Sequence, residues 1–352
     1  VQTGTDRLKG VVDGIVSGDL NGWLANLDRP ARQEAVICRS AGGVERAFKT
    51  FQLREDVCSA LSLPGKFGFS IPLRALADLG ERISVHDMTG AVLAGGRDLA
   101  VARQDDDVPP TGTRIFVHIP KTAGTSLRNQ IGGVLRYSET LMVYPDSGVG
   151  ISLEDLAAMP VHQKRQFRLV YGHLYFGVHA LIPLPSQYIT VLRAIGSRIR
   201  SNVMHHATIG TAFARDGVPI PPSVAINEGT EEDFDNVMTR NIAGVTRQQV
   251  PLGSMSSTEL EMAIANIKRH FAFIGRYETL DADFQALCGM FGVVAPKLSV
   301  DNRTADRAIL YSDEELRKID WVAVYARNRI DAQLYSYLSR EKLFSRVLSP
   351  GA

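Results

Sequence analysis

The sequence predicts a mixed α/β protein. A small all-β sandwich over residues 8–102 precedes a parallel α/β sheet over 113–345, with a linker at 103–112 between them. The first observation is a crowd of short apolar or alternating runs in the first hundred residues, separated by turn chemistry. The second is "RQDDDVPPTGT", residues 103–113, whose acids, prolines and glycine suit no buried element. The third is the alternation of apolar runs with helical spacings after it, the pattern of a parallel sheet covered on both faces. At 352 residues the chain exceeds a typical single domain.

In order, "GVVDGIV", "GWLANL", "EAVICRS", "ERAFKTF", "FGFSIPL" and "RISVHDM" read as strands. "SGDLN", "LDRP", "SAGG", "LPGK" and "MTGA" read as their turns. "REDVCSAL" and "LRALADLG" add helical turns. After the linker, "RIFVHI" is a continuous apolar strand and "GTSLRNQIGGVL" a helix. "RLVYGHL" and "YITVLR" are further buried strands, and "GSRIRSNVMHHA" is helical. Residues 215–229 read as a long loop. "FAFIGRYE" is a strand and "TLDADFQALCGMFG" a helix ending in glycine. From "SDEELRKI" to "LYSYLSREKLF" the pattern is helical to the end.

Composition excludes several function classes. The formal net charge is +1, so no global field favours nucleic acid or an anionic membrane, and any anion site must be local. No apolar run approaches the roughly 20 residues of a transmembrane helix. The opening "VQTGTDRLKG" has no apolar signal core, and its lack of an initiator methionine reads as a trimmed start. Cys38, Cys58 and Cys288 show neither pairing nor metal spacing, so a reducing cytoplasm is expected. No HExxH or cysteine spacing predicts a metal.

Chemistry concentrates in "FVHIPKTAGTSL", residues 116–127. A strand runs through a small-residue turn into a helix, the geometry that aims backbone N–H groups and a helix N-terminus at an anion. The usual phosphate loop carries its lysine near the end. Here Lys121 comes first, and Thr122, Gly124, Thr125 and Ser126 follow, an order suited to one phosphate held without a metal. "YITVLRAIGSRIRSNVMHH" places Arg193 at a strand end and Ser201 eight residues later on a helix, a second phosphate clamp. Two phosphate sites on one sheet point to a bisphosphorylated nucleotide.

These segments resemble the carbohydrate sulfotransferases. "HIPKTAGTSL" is similar to their 5′-phosphosulfate loop and "VLRxxxxRxxS" to their 3′-phosphate motif. "YGHLYFGVH", "FDNVMTRNIAG" and "FIGRYETLDADFQALCGMFG" match later family segments in family order, over roughly 113–340. The resemblance implies a P-loop-related fold, 3′-phosphoadenosine 5′-phosphosulfate as donor, no metal, and a glycan or glycolipid hydroxyl as acceptor. Lys121 would act at the bridging oxygen, and Thr122, Ala123, Gly124, Thr125 and Ser126 would hold the 5′-phosphate. Arg193 and Ser201 would hold the 3′-phosphate, Arg240 the nucleotide or the acceptor, and His173 would be the general base. His179 and His118 are the fallback bases, with Glu139 after them. Family members usually follow the motif arginine with Asp-Pro; here Ala194-Ile195 stands instead. Membrane-bound members carry an N-terminal anchor that this sequence does not show, so the acceptor is expected in the cytoplasm or on a membrane-surface carrier.

Plainer expectations stand beside these. Arg198, Arg200, His205 and His206 read as helix-surface residues, Trp23 as core, and Glu278 as a partner of some arginine. A glycan-binding protein on a decayed transferase scaffold and a P-loop kinase are the rival readings.

Overall fold

The computed structural model describes residues 6–101, 110–124, 126–127, 130–131, 135–144, 150–295 and 308–348. Most of the expected linker, and Thr125, lie outside the described residues. The fold is mixed α/β, with a five-stranded parallel sheet and separate small antiparallel sheets. The chain divides into two compact units. One holds Val1–Thr113, Arg136–Val170 and Leu181–Pro185; the other holds Arg114–Leu135, Tyr171–Ala180 and Ser186–Ala352.

In the first unit, β1 (Leu8–Val16), β2 (Asp19–Asn26) and β5 (Gly68–Pro72) form one antiparallel sheet. β3 (Ala35–Ser40), β4 (Glu45–Lys49), β6 (Arg82–His86) and β7 (Leu99–Ala100) form another, in the order β4-β3-β6-β7. Alternation puts one face of each sheet into a common core: Val12, Leu20, Leu24 and Ile71 meet Val36, Cys38, Phe48 and Val85. Burial pushes the Cys38 thiol up to about 12, so it behaves as a small apolar residue. Trp23 packs against the small cluster of Ala25, Val57 and Phe67.

Residues 136–170, which the sequence pattern groups with the later sheet, belong to this first unit by contact. The reason is hydrogen bonding at the β4 edge. The Lys49 N–H donates to Gln163 Oε1 at 2.9 Å, and Gln163 Nε2 donates to the Lys49 carbonyl at 2.9 Å. A side-chain amide thus caps an edge strand whose backbone would otherwise be unpaired. His162 Nε2 meets the Ala47 carbonyl at 2.6 Å beside it. Glu139 is buried among Arg74, Arg136 and Arg168.

The five-stranded sheet has the order β14-β11-β8-β10-β9: β8 is Thr113–Val117, β9 Thr140–Val143, β10 Leu169–Gly172, β11 Ser186–Leu192 and β14 Phe271–Arg276. β11 and β14 pair in parallel, with Leu192 opposite Arg276. Their residues are buried almost throughout, as strands covered on both faces must be. Helical backbone follows β8 from Gly124, and the helix Ile195–Ile209 follows β11. Among the described residues no helix is long and apolar enough to cross a membrane.

Two expectations are corrected. Residues 215–229 are not one loop. Strand β12 (Phe213–Arg215) turns through Asp216 and Gly217, φ 51° and 79°, into β13 (Val218–Ile220). An Asp-Gly pair with both φ values positive is the favoured two-residue hairpin turn. Pro222 then opens the helix Pro222–Glu228, a position where its missing N–H costs nothing. The C-terminal helix stops at Arg340, and the chain returns to the sheet. Ser345 N donates to the Ile274 carbonyl at 2.9 Å and Leu348 N to that of Ala272 at 2.7 Å, covering the β14 edge. The helix Ser257–His270, which carries no apolar run to announce it, starts at a Ser256/Glu259 capping box.

Candidate functional site

The loop after β8 stores strain. Lys121 and Ala123 both sit at positive φ, 69° and 70°, where residues with a Cβ rarely go. Such a departure costs on the order of 1–3 kcal/mol, and residues held this way cluster at functional sites in proteins generally. Residues in the left-handed region are a feature of the backbone nests that bind anions. Ala123 O accepts from Leu127 N at 3.1 Å, so helix begins directly behind the loop. A helix start of this kind is where backbone N–H groups meet anions in many proteins.

Gly124 is dictated by a neighbour. A Cβ there would lie 1.8 Å from the ring of the buried His118, so one of the two would have to shift. Tyr171, from β10, donates its hydroxyl to the Gly124 carbonyl and stacks on His118 and Phe116. Thr122 is buried, and its hydroxyl donates to the Ile119 carbonyl at 2.8 Å, so it braces the turn from within. Ser126 is buried on the first helical turn, and Lys121 is half-buried.

His173 follows β10 and is exposed, its ring centroid 4.8 Å from that of His118. β8 and β10 are neighbours, and His118 N donates to the Gly172 carbonyl at 2.8 Å. That bond sets the two imidazoles side by side at the carboxyl edge of the sheet, where α/β folds bind ligands. His179 lies elsewhere, its Nδ1 at 2.8 Å from the Tyr188 hydroxyl. Tyr175, between them in sequence, donates to Glu232, and burial followed by that carboxylate raises its phenol well above the ordinary range.

Arg193 leaves the end of β11 half-buried. Its Nη1 donates to the Lys121 carbonyl at 3.2 Å, which joins the second clamp to the loop. Its Nε donates to Ser197 Oγ at 3.0 Å. The hydroxyl bonded to Arg193 is therefore one helical turn before Ser201, which is half-buried on the same helix. Sequence reasoning passed over Ser197, which the first turn of the helix carries back to the strand-end arginine.

Arg240 is fully buried. Its guanidinium pairs with the buried carboxylate of Asp235 and donates to the Val250 carbonyl at 2.7 Å. It ties the 235–253 stretch together, and Asp235 also takes the Gly253 N–H at 3.1 Å. Arg198, expected on the surface, is fully buried as well, donating to the Asp233 carbonyl and to Asn328 Oδ1. Arg198 and Asn202 are buried at helical spacing, and His206, half-buried and expected on the surface, continues that stripe. His206 is held below the usual imidazole range, first by burial and also by the charge of Lys121, with Asp233 opposing. Arg200 stays exposed, over the face of Trp321.

Glu278, expected beside an arginine, shows no ion pair with one among the described residues: it accepts from the Ala194 N–H at 2.9 Å and the Tyr335 hydroxyl at 3.0 Å. Among the described residues no cluster of His, Cys, Asp and Glu could hold a metal ion. No protein-family model matches the chain, and no curated protein matches it.

Proposed function

We propose that the chain is a sulfotransferase with the carbohydrate-sulfotransferase fold, moving a sulfuryl group from 3′-phosphoadenosine 5′-phosphosulfate to a saccharide hydroxyl. The observation that carries this reading is the strained turn at Lys121 and Ala123, opening onto a helix start and tied to Arg193 through the Lys121 carbonyl. Backbone N–H groups of the loop receive the 5′-phosphate, and Arg193 receives the 3′-phosphate. Lys121 steadies the charge that grows on the leaving 5′-phosphate oxygen. His173 takes the acceptor's proton as the new oxygen–sulfur bond forms and the bond from sulfur to the 5′-phosphate breaks. The exposure of His173 suits a group that must meet an incoming sugar.

A metal-free site needs cationic and N–H donors of its own, and in this reading Lys121, Arg193 and the loop backbone are the groups that would supply them. Ala194, where family members carry Asp, has its N–H fixed by Glu278 instead, so the strand end keeps its anchor. The reading extends to an acceptor reached in the cytoplasm or at a membrane surface.

The test is a donor-dependent sulfation screen across saccharides, read by mass spectrometry, with Lys121→Ala as comparison. A mass gain of one sulfuryl group that needs the donor and falls about 100–1000-fold in turnover in that variant is expected. No sulfation of any acceptor, with no donor cleavage, would contradict the reading.

A further inference from the structure

The turn Tyr277–Thr279, which follows β14, holds the end of β11 from two sides. Because Leu192 lies opposite Arg276 in a parallel pair, residues 193–194 and 277–278 leave the sheet together. The Tyr277 ring then lies under the Arg193 guanidinium, 3.9 Å from ring centroid to Cζ. Glu278, the next residue, takes the Ala194 N–H with Oε1 and the Tyr335 hydroxyl with Oε2. Ala194 is the N-cap of the helix 195–209 and offers no capping side chain of its own. A carboxylate from another strand end therefore fixes the backbone on which Arg193 is mounted. Tyr335 is suited to this post: burial, and next the Glu278 charge, push its phenol up to about 12, so it remains a donor.

The two contacts constrain different freedoms. The ring sets the plane of the guanidinium, and the carboxylate sets the peptide that follows it. A guanidinium held flat in advance loses little rotamer freedom when it meets an anion, which is where arginine gains over lysine. Its Nε and Nη1 already donate to Ser197 and to the Lys121 carbonyl, so the guanidinium is fixed beside the loop.

We propose that Tyr277 and Glu278 are positioning residues that orient Arg193 and thereby set the selectivity for a nucleotide bearing a 3′-phosphate. The proposal rests on the sulfotransferase reading for the identity of that nucleotide. Neither residue touches the transferring group. Their effect is confined to the contact that a 3′-phosphate makes and a 5′-monophosphate lacks.

The experiment is calorimetric titration with adenosine 3′,5′-bisphosphate and with adenosine 5′-monophosphate, giving a ratio of affinities for each protein. In Tyr277→Leu and in Glu278→Ala the ratio should fall about tenfold, through loss of bisphosphate affinity alone. Tyr277→Phe keeps the aromatic face and Glu278→Gln keeps an acceptor oxygen, so both should hold the wild-type ratio. Tyr335→Phe frees one Glu278 oxygen from a distance and should lower the ratio by a smaller factor, which preserves the test should a truncation at 277 or 278 not fold. An unchanged ratio in Tyr277→Leu, Glu278→Ala and Tyr335→Phe would overturn the positioning role, as would equal weakening for both nucleotides. A wild-type protein with no preference between the two nucleotides would overturn the donor reading itself, and the proposal with it.

Discussion

Two arginine-bearing regions of the second unit make an instructive pair. Arg193 and the loop at 119–124 keep donors at the sheet edge, and the backbone there is strained at Lys121 and Ala123. Arg240 has no exposed surface, and its guanidinium is absorbed by Asp235 and the Val250 carbonyl. In sequence both arginines read as ligand contacts, Arg193 for the nucleotide and Arg240 for the nucleotide or the acceptor. In space one is mounted on a strand end and the other is sealed inside the chain. The lesson is that a motif arginine is defined by which of its donors the fold leaves for a ligand.

The largest effect should come from the side of this pair that does chemistry. His173→Ala should leave bisphosphate affinity near wild type while sulfation falls by roughly 100–10,000-fold, the range for a lost acid–base group. His173 is exposed, so its removal opens no cavity, and near-normal turnover would pass the role to His118, 4.8 Å away. The next effect should fall on stability. Arg240→Ala leaves the buried Asp235 carboxylate without its partner and should cost about 3–5 kcal/mol, measured by denaturant unfolding. The folded fraction should still bind the bisphosphate as wild type does. If stability held and affinity fell instead, Arg240 would belong with Arg193 and the comparison would break.

The smallest effect is a pH dependence. His162, His206 and His270 are held below the usual imidazole value, each chiefly by burial. For such groups the unfolded chain binds protons more readily than the folded one. Their contribution is present above about pH 6.5 and is lost as pH falls from there through the depressed folded values. Thermal midpoints should therefore decline between pH 7 and pH 5.5, and His206→Gln should flatten the decline. Asp19 and Glu231, raised by burial, act with the opposite sign nearer the carboxylate range. A midpoint that rises on acidification over that interval would contradict the assignment.

Much of the fold was legible because periodicity and turn residues are local signals. The β1–β6 runs, the β8, β11 and β14 strands and the helix 195–209 all stand where the pattern put them. The Asp216-Gly217 hairpin and the Ser256/Glu259 capping box were written in the sequence just as plainly and were passed over. Other features have no local signal. The Gln163 amide bonded to Lys49 depends on residues 114 apart, and so does the assignment of 136–170 to the first unit. For the site, the sequence named the loop, Arg193 and His173. It could not show that Thr122 turns its hydroxyl inward, that Ser197 meets Arg193, or that Tyr171 and His118 close around Gly124. Those facts follow from which strands are neighbours, and strand order is not a property of any single segment.

In the function proposed above, the loop at 119–124 and Arg193 form a site for a nucleotide with phosphates on the 3′ and 5′ positions of its ribose. Titration of the wild-type protein and Arg193→Ala with adenosine 3′,5′-bisphosphate, beside ATP with magnesium, tests it most directly. The account predicts saturable binding of the bisphosphate by wild type, weakened about tenfold or more in Arg193→Ala, with ATP and magnesium the poorer ligand for both. Tight binding of ATP with magnesium and none of the bisphosphate would contradict it.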